Sequence, residues 1–408
     1  MGFPKRSMRH VPLDGKTVLL RADYNVPLDA KGRIADDFRI TQSLPTLRNL
    51  IERNCKIVVC AHLGRPDGQV EPQFSLEPVA RRLSELLGEH VAFAEDCVGD
   101  RVHQAAKRLQ PGRVLLLENL RFHAGEEAND ASFAQLLIKD SGAQYFIQDG
   151  FGVVHRAHAS TAAVTRFAPS VAGLLLELEW TTITGVMSHP KRPMTAVLGG
   201  AKITDKIKVI DRFVQIADSI VIGGAMANTF LKYQGYNIGK SIHEDGLDDI
   251  VKHIYAKAEK KVGREGVDDF IVLPTDVAVA DSMDAKSRRT TVSIEDVAAN
   301  EYILDIGPES IAAAVNAVNG AGTVAWNGTL GYAELSQFAH GSARMALALA
   351  SQPETASVIG GGDTADFVLH WDVAKKGGSF THVSTGGGAS IDLMAGEPMP
   401  GIEALLDA

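Results

Sequence analysis

Short apolar runs without polar alternation punctuate the whole chain. They fall at 17–21, 56–60, 113–117 and 145–148, then at 194–198, 219–222, 270–273, 323–326, 358–359 and 382–383. Continuous Val, Ile and Leu predict strands covered on both faces, as in a parallel sheet. A loop rich in Gly or charge follows each run, and then a helical pattern. Strands alternating with helices predict βαβ winding, which gathers ligands at the carboxyl ends of the strands.

The residues after the strands differ between the halves. The first half places Arg21, His62, Arg65, Arg121 and Arg156 there, and the second places Gly199-Gly200, Gly223-Gly224, Gly328, Gly360 to Gly362 and Gly386 to Gly388. One half suits a small, highly anionic molecule and the other a polyphosphate. The stretch between them reads as a helix followed by a Pro-flanked turn. The expected division is 1–172, a hinge at 173–191, a second domain at 192–392, and a tail at 393–408 packing back on the first domain.

Composition narrows the class. The 408 residues are 45% hydrophobic and 22% charged, enough for two cores. A net charge of −9 argues against broad nucleic-acid or membrane binding, so an anionic ligand needs a local cluster of cations. Cys55, Cys60 and Cys97 show no CxxC spacing and read as small packed hydrophobes. The basic N-terminus leads into no hydrophobic signal core, and cytoplasm is the expected compartment.

The motifs carry the chemistry. Ile359-Gly360-Gly361-Gly362-Asp363-Thr364 ends a strand and opens a helix, where close backbone and unpaired N–H groups receive an anion. An acid there suits a cation such as Mg²⁺. Ser384-Thr385-Gly386-Gly387-Gly388 repeats the turn. Lys202 and Lys206, in Gly199-Gly-Ala-Lys202-Ile-Thr-Asp-Lys206, are expected on one helix face above its N-terminal turn. His62-Leu-Gly-Arg65-Pro66 sets an imidazole and a guanidinium on one glycine turn, and Asp23 and Asn25 form a candidate substrate pair before Pro27. Gly235 to Ser241 fails as a Walker loop, because Gln234 stands where its first Gly belongs. Gly360-x-Gly362-x-x-Ala365 has dinucleotide spacing but no acid about twenty residues on. His155 and His158 have no neighbouring acid or Cys to complete a metal site.

Together, HLGRPDG, ENLRFH, HRAH, LGGAKxxDK, GGGDT and STGGGAS, in that order over nearly the whole chain, resemble the phosphoglycerate kinase family. The resemblance implies two doubly wound, Rossmann-like α/β domains joined by a hinge helix. It also implies reversible in-line phosphoryl transfer between 1,3-bisphosphoglycerate and Mg-ADP, giving 3-phosphoglycerate and Mg-ATP, in a cleft closed by domain motion. It puts Asp23, Asn25, His62, Arg65, Arg121 and Arg156 on the triose-phosphate side. Arg39, Lys202, Gly362 and Gly387 meet the group in flight. Lys206, Gly307, Asn327, Glu334, Gly361, Gly362, Asp363 and Thr364 hold the nucleotide, with Asp363 on Mg²⁺. A monomer is implied. A retired, merely binding relative would lack Arg39, Lys202 or Asp363, and all three are present. Thr329, Tyr332 and Ala333 depart from the family pattern and leave ATP and GTP both open; Asn228 replaces an apolar or aromatic residue.

Overall fold

The computed structural model describes residues 2–372 and 377–408. The chain forms two compact units, one of residues 1–181 with 398–408 and the other of 182–397. In the first, six strands form one parallel sheet: β1 (Thr17–Arg21), β2 (Lys56–Cys60), β3 (Val91–Ala94), β4 (Val114–Leu117), β5 (Tyr145–Gln148) and β6 (Ser170–Ala172). Their order is β3-β4-β2-β1-β5-β6. The period of two along each strand splits the apolar side chains between two cores. Val18, Leu20, Ile57, Val59 and Leu116 face one, and Leu19, Val58, Cys60, Leu115 and Leu117 face the other. Both faces are covered, as unalternated runs require.

The termini meet in this unit. Arg6 N–H donates to the Leu406 carbonyl at 2.7 Å, and Leu406 N–H donates to Ser170 at 3.0 Å. The division assigns 393–397 to the second unit, where the helix Gly388–Ala395 is continuous.

The second unit is built on β7 (Met194–Leu198), β8 (Ser219–Ile222) and β9 (Ile271–Val272). An insertion follows, β10 (Asp276–Ala280), β11 (Thr290–Ser293) and β12 (Tyr302–Ile306), before β13 (Thr323–Asn327), β14 (Ala356–Gly360) and β15 (His382–Val383). The main sheet is parallel in the order β15-β14-β13-β7-β8-β9. The insertion is a separate antiparallel sheet, β11-β10-β12, with a register shift between Ala278 and Val279. The parallel winding read from the sequence holds for both large sheets. The small sheet was not foreseen: β11 is largely exposed and Thr-rich, so it carries no apolar run.

A single helix, Leu174–Ser188, carries the chain from one unit to the other. Its start is fixed by a buried acid. Asp149, just after β5, accepts from Leu175 N–H at 2.9 Å and Leu176 N–H at 3.2 Å, and Leu174 N–H donates to Thr46 Oγ1 at 3.1 Å. A Cβ on Gly173 would stand 2.1 Å from the Asp149 carboxylate, so only glycine lets the acid reach the helix end. Burial pushes the Asp149 carboxyl from 3.8 up to about 6, against the helix N–H groups and Thr46, which lower it.

The sign of the linkage follows. A raised folded pKa means the native state binds the proton more tightly, so this contribution is full below pH 3.8 and is lost as pH rises through 6. Asp149→Asn keeps an acceptor for the helix and removes the charge. Its stability relative to wild type is expected to rise between pH 4 and pH 7 by on the order of 2–3 kcal/mol. Thermal unfolding across that range checks it; a pH-independent difference would refute the role given to burial.

Candidate functional site

In the first unit, the loops after β1, β2, β4 and β5 gather the cations. Arg21 ends β1 and is buried; its Nε donates to Ser160 Oγ at 2.7 Å, and one terminal nitrogen lies 3.3 Å from His62 Nδ1. The guanidinium can only donate, so His62 Nδ1 accepts and its remaining proton sits on Nε2. Burial first, then Arg21, Arg121, Arg39 and His158, hold the His62 pKa well below 6.5. His158, buried near the same arginines, is held down at about 4. Both imidazoles are neutral hydrogen-bonding groups at neutral pH.

The loops fasten to one another through short polar side chains. Asn25 Oδ1 accepts from Gly64 N–H at 2.9 Å, and the Gly64 carbonyl accepts from Arg121 at 2.7 Å. This sets Arg65, the next residue, beside both. Arg39 donates to Asp23 at 3.0 Å and to the Asn25 carbonyl at 3.1 Å. Arg121 pairs with Glu127 at 2.9 Å. Arg65 and Arg156 are exposed, and among the described residues the guanidinium of neither has a hydrogen-bond or ion-pair partner. Asp23, Asn25, Arg39, His62, Arg65, Arg121 and Arg156 thus form one neighbourhood, with two guanidinium groups free for an anion.

Glu126 is the buried counter-charge that the sequence reading missed. Its carboxylate accepts from Ser160 N–H at 3.0 Å and Ser160 Oγ at 2.6 Å, and lies 4.0 Å from Arg21 and 3.9 Å from His158. Burial pushes its carboxyl up, while Arg21 and Ser160 pull it back. The residue sits in the helical pattern after ENLRFH, where an acid looks like one more solvated charge.

In the second unit, three glycine turns touch backbone to backbone. Gly200 N–H donates to Thr329 at 3.0 Å, Gly224 N–H to Leu330 at 2.9 Å, and Gly199 N–H to Asn327 at 3.0 Å. A Cβ on Gly199 would stand 2.1 Å from the Thr329 carbonyl. Thr364 Oγ1 accepts from Gly328 N–H at 2.6 Å, and Ser390 Oγ accepts from Gly361 N–H at 3.1 Å. The turns after β13, β14 and β15 are therefore joined. Gly361, at φ 89°, starts the helix Gly362–Trp371, whose first turn exposes Asp363. Gly387, at φ 52°, starts the helix Gly388–Ala395.

One sequence expectation is corrected here. Lys202 and Lys206 do not share a helix face. Lys202 is exposed in the loop after β7, a 3₁₀ turn covers Thr204–Lys206, and the helix begins only at Ile207. Glu244 takes up N–H groups that would have opened a longer helix, accepting from Ile203, Thr204 N–H at 3.2 Å and Thr204 Oγ1 at 2.5 Å. Lys206 turns inward, donating to the Gly199 carbonyl at 2.6 Å and the Asn327 carbonyl at 3.2 Å. Burial lowers its pKa to about 8, with Asp363 and Asp205 opposing. Asn327 is buried beside it, and among the described residues neither its Oδ1 nor its Nδ2 has a partner.

A cavity of about 190 Å³ opens next to these turns. Gly200, Gly224, Thr329 and Asp363 line it, and Leu231, Val277, Ile303 and Leu304 supply apolar wall. Glu334 and Tyr332 also reach it. Much of the wall comes from the unforeseen antiparallel sheet, which is why sequence reading missed Val277, Ile303 and Leu304. Gly307 does not line the cavity. It lies against Asp276, which caps the helix Pro308–Val318 by accepting from Glu309 N–H at 3.1 Å and Ser310 N–H at 2.8 Å.

A family model for phosphoglycerate kinase matches residues 8–397. The chain belongs to the phosphoglycerate kinase family. It is 44% identical over 403 residues to the phosphoglycerate kinase of Pelotomaculum thermopropionicum, covering 99% of each chain. It is 46% identical over 394 residues to that of Rippkaea orientalis, covering 96% of each. Among solved structures, the phosphoglycerate kinase of Coxiella burnetii superposes with a TM-score of 0.82 at 36% identity, and that of Pyrococcus horikoshii OT3 with 0.84 at 32%. Both cover 98% of this chain and of their own. Among the described residues, no helix is long and apolar enough to cross a membrane.

In this family member the Arg21–Glu126 pair predicts a stability effect. Glu126→Leu strands a buried guanidinium and is expected to cost about 3–5 kcal/mol. Glu126→Gln, which still accepts from Ser160, is expected to cost clearly less. Denaturant unfolding of both measures it; equal, small losses would remove the pair's importance.

Proposed function

We propose that this chain reversibly transfers a phosphoryl group between 1,3-bisphosphoglycerate and Mg-ADP, giving 3-phosphoglycerate and Mg-ATP. Family membership supports the reaction. The observation that carries the assignment of sides is the pairing of a cation-rich cluster in one unit with a glycine-lined cavity in the other. Asp23, Asn25, His62, Arg65, Arg121 and Arg156 hold the triose phosphate. Arg65 and Arg156 engage its phosphate, and His62 donates from Nε2. Lys206, Asn327, Glu334 and Gly361 to Thr364 serve the nucleotide, with the unpartnered amide of Asn327 awaiting a polar ligand.

Toward ATP consumption, a carboxylate oxygen of 3-phosphoglycerate attacks the γ-phosphorus and the β-phosphate oxygen of ADP leaves. The carboxylate is already ionised, so no general base is needed. The neutral, arginine-flanked histidines agree with that. Negative charge on the moving group is the obstacle, and we assign Arg39 of the first unit, and Lys202 with the N–H groups of the Gly362 and Gly387 turns of the second, to offset it. Asp363, an exposed carboxylate lining the cavity, is the residue that would hold a hard cation such as Mg²⁺. Mg²⁺ held there with the nucleotide would spread the polyphosphate charge. Donor and acceptor belong to different units, so they must come together, excluding water as the competing acceptor. The protein works as a soluble cytoplasmic monomer on small molecules, without nucleic acid.

Lys202→Ala is expected to lower turnover by on the order of 10²-fold, as for a lost transition-state charge contact, with nucleotide affinity little changed. A coupled assay with 3-phosphoglycerate and Mg-ATP, following 1,3-bisphosphoglycerate through NADH oxidation, measures it. Unimpaired turnover would refute the role of Lys202, and a folded wild type without turnover would refute the reaction.

A further inference from the structure

One residue lining the nucleotide cavity carries a buried polar atom that no described residue satisfies. Asn228 lies on the helix Gly224–Tyr233, lines the cavity, and is 1% exposed. Its Nδ2 donates to the Ile242 carbonyl at 2.9 Å, while its Oδ1 is buried without a partner. Among the described residues it is the only one lining the cavity with such an atom. A buried acceptor left unsatisfied is costly, and in a ligand cavity it marks where a donor belongs.

The orientation of the amide is fixed chemically. A carbonyl can only accept, so the side of Asn228 facing Ile242 must be its NH₂, and the free side must be oxygen. The Ile242 segment is itself held. Thr229 Oγ1, one residue along the helix, accepts from Glu244 N–H at 3.1 Å, and Glu244 grips Thr204 N–H at 3.2 Å. A flip of the amide would set two oxygens against each other. The buried carboxylate of the same wall, Asp305, is already engaged, accepting from Ile306 N–H at 2.9 Å and Gly341 N–H at 3.1 Å.

We infer that Asn228 is a specificity-determining residue, whose Oδ1 accepts a hydrogen bond from the exocyclic amine of a 6-aminopurine bound in this cavity. The inference rests on the nucleotide reading above. A flat aromatic ring suits the apolar wall of Leu231, Val277, Ile303 and Leu304, and the 6-amino group supplies the missing donor. Guanine presents a carbonyl oxygen at the same ring position and sets acceptor against acceptor. Purine riboside lacks the group altogether. Sites built to hydrogen-bond a ligand group discriminate strongly against analogues without it.

The test is calorimetric binding of ADP, GDP and purine riboside 5′-diphosphate, each with Mg²⁺, to wild type and Asn228→Leu, with turnover of Mg-ATP and 3-phosphoglycerate run separately. Wild type is expected to bind ADP about tenfold or more tightly than either other nucleotide. In Asn228→Leu, confirmed folded by circular dichroism, the preference over the purine riboside form should fall close to one. Equal binding of ADP and purine riboside diphosphate by wild type, or a preference unchanged in Asn228→Leu, would overturn the inference whatever the turnover. If the variant does not fold, the wild-type comparison decides. Intact preference without any turnover would support Asn228 while overturning the kinase reaction.

Discussion

At the carboxyl ends of β7, β8 and β13 the backbones of three loops lie in contact, and the geometry of the second unit's site follows from that. Side chains at Gly199, Gly224 or Gly328 would collide with neighbouring backbone at 2.1 to 2.8 Å. With the side chains gone, each loop satisfies its amides on the next, and a floor of fixed dipoles results. Lys206 closes this floor by turning its ammonium onto the Gly199 and Asn327 carbonyls, which is why burial depresses its pKa. The side chains that remain exposed, Lys202 and Asp363, can then meet a ligand.

The first unit solves a different problem. Several guanidinium groups in one place repel one another, and the structure offsets that with paired acids and a neutral imidazole. Glu126 answers Arg21, Asp23 answers Arg39, and Glu127 answers Arg121. His62 stays unprotonated because its neighbours already carry the charge. Arg65 and Arg156, exposed and without partners, keep their charge available. The excess positive charge of this surface is therefore concentrated on Arg65 and Arg156.

The two units also differ in what their insertions do. In the first, the chain ends knit together beside β6, which fixes the unit without entering the cation cluster. In the second, the antiparallel sheet walls the nucleotide cavity with Val277, Ile303 and Leu304, next to the glycine floor. Asn228 sits on the helix Gly224–Tyr233, one turn beyond the glycine that joins the floor.

Much of this was legible in the residues. Unalternated Val/Ile/Leu runs gave ten of the strands, because burial on both faces leaves no polar position to misread. Glycine turns after strands, and Arg and His in HLGRPDG and HRAH, marked the loops that the fold gathers at strand ends, where ligands of such sheets sit. Tertiary structure decided the rest. β11 is Thr-rich and exposed, so its strand state comes from pairing with β10 and carries no periodic signal. Lys202 and Lys206 have helix spacing, yet Glu244, about forty residues on, claims the amides between them and unwinds that turn. Glu126 and Asn228 read locally as a surface acid and an odd polar residue. Their meaning lies in what surrounds them, since the strength of a buried charge or an unpaired oxygen depends on distant residues that exclude water.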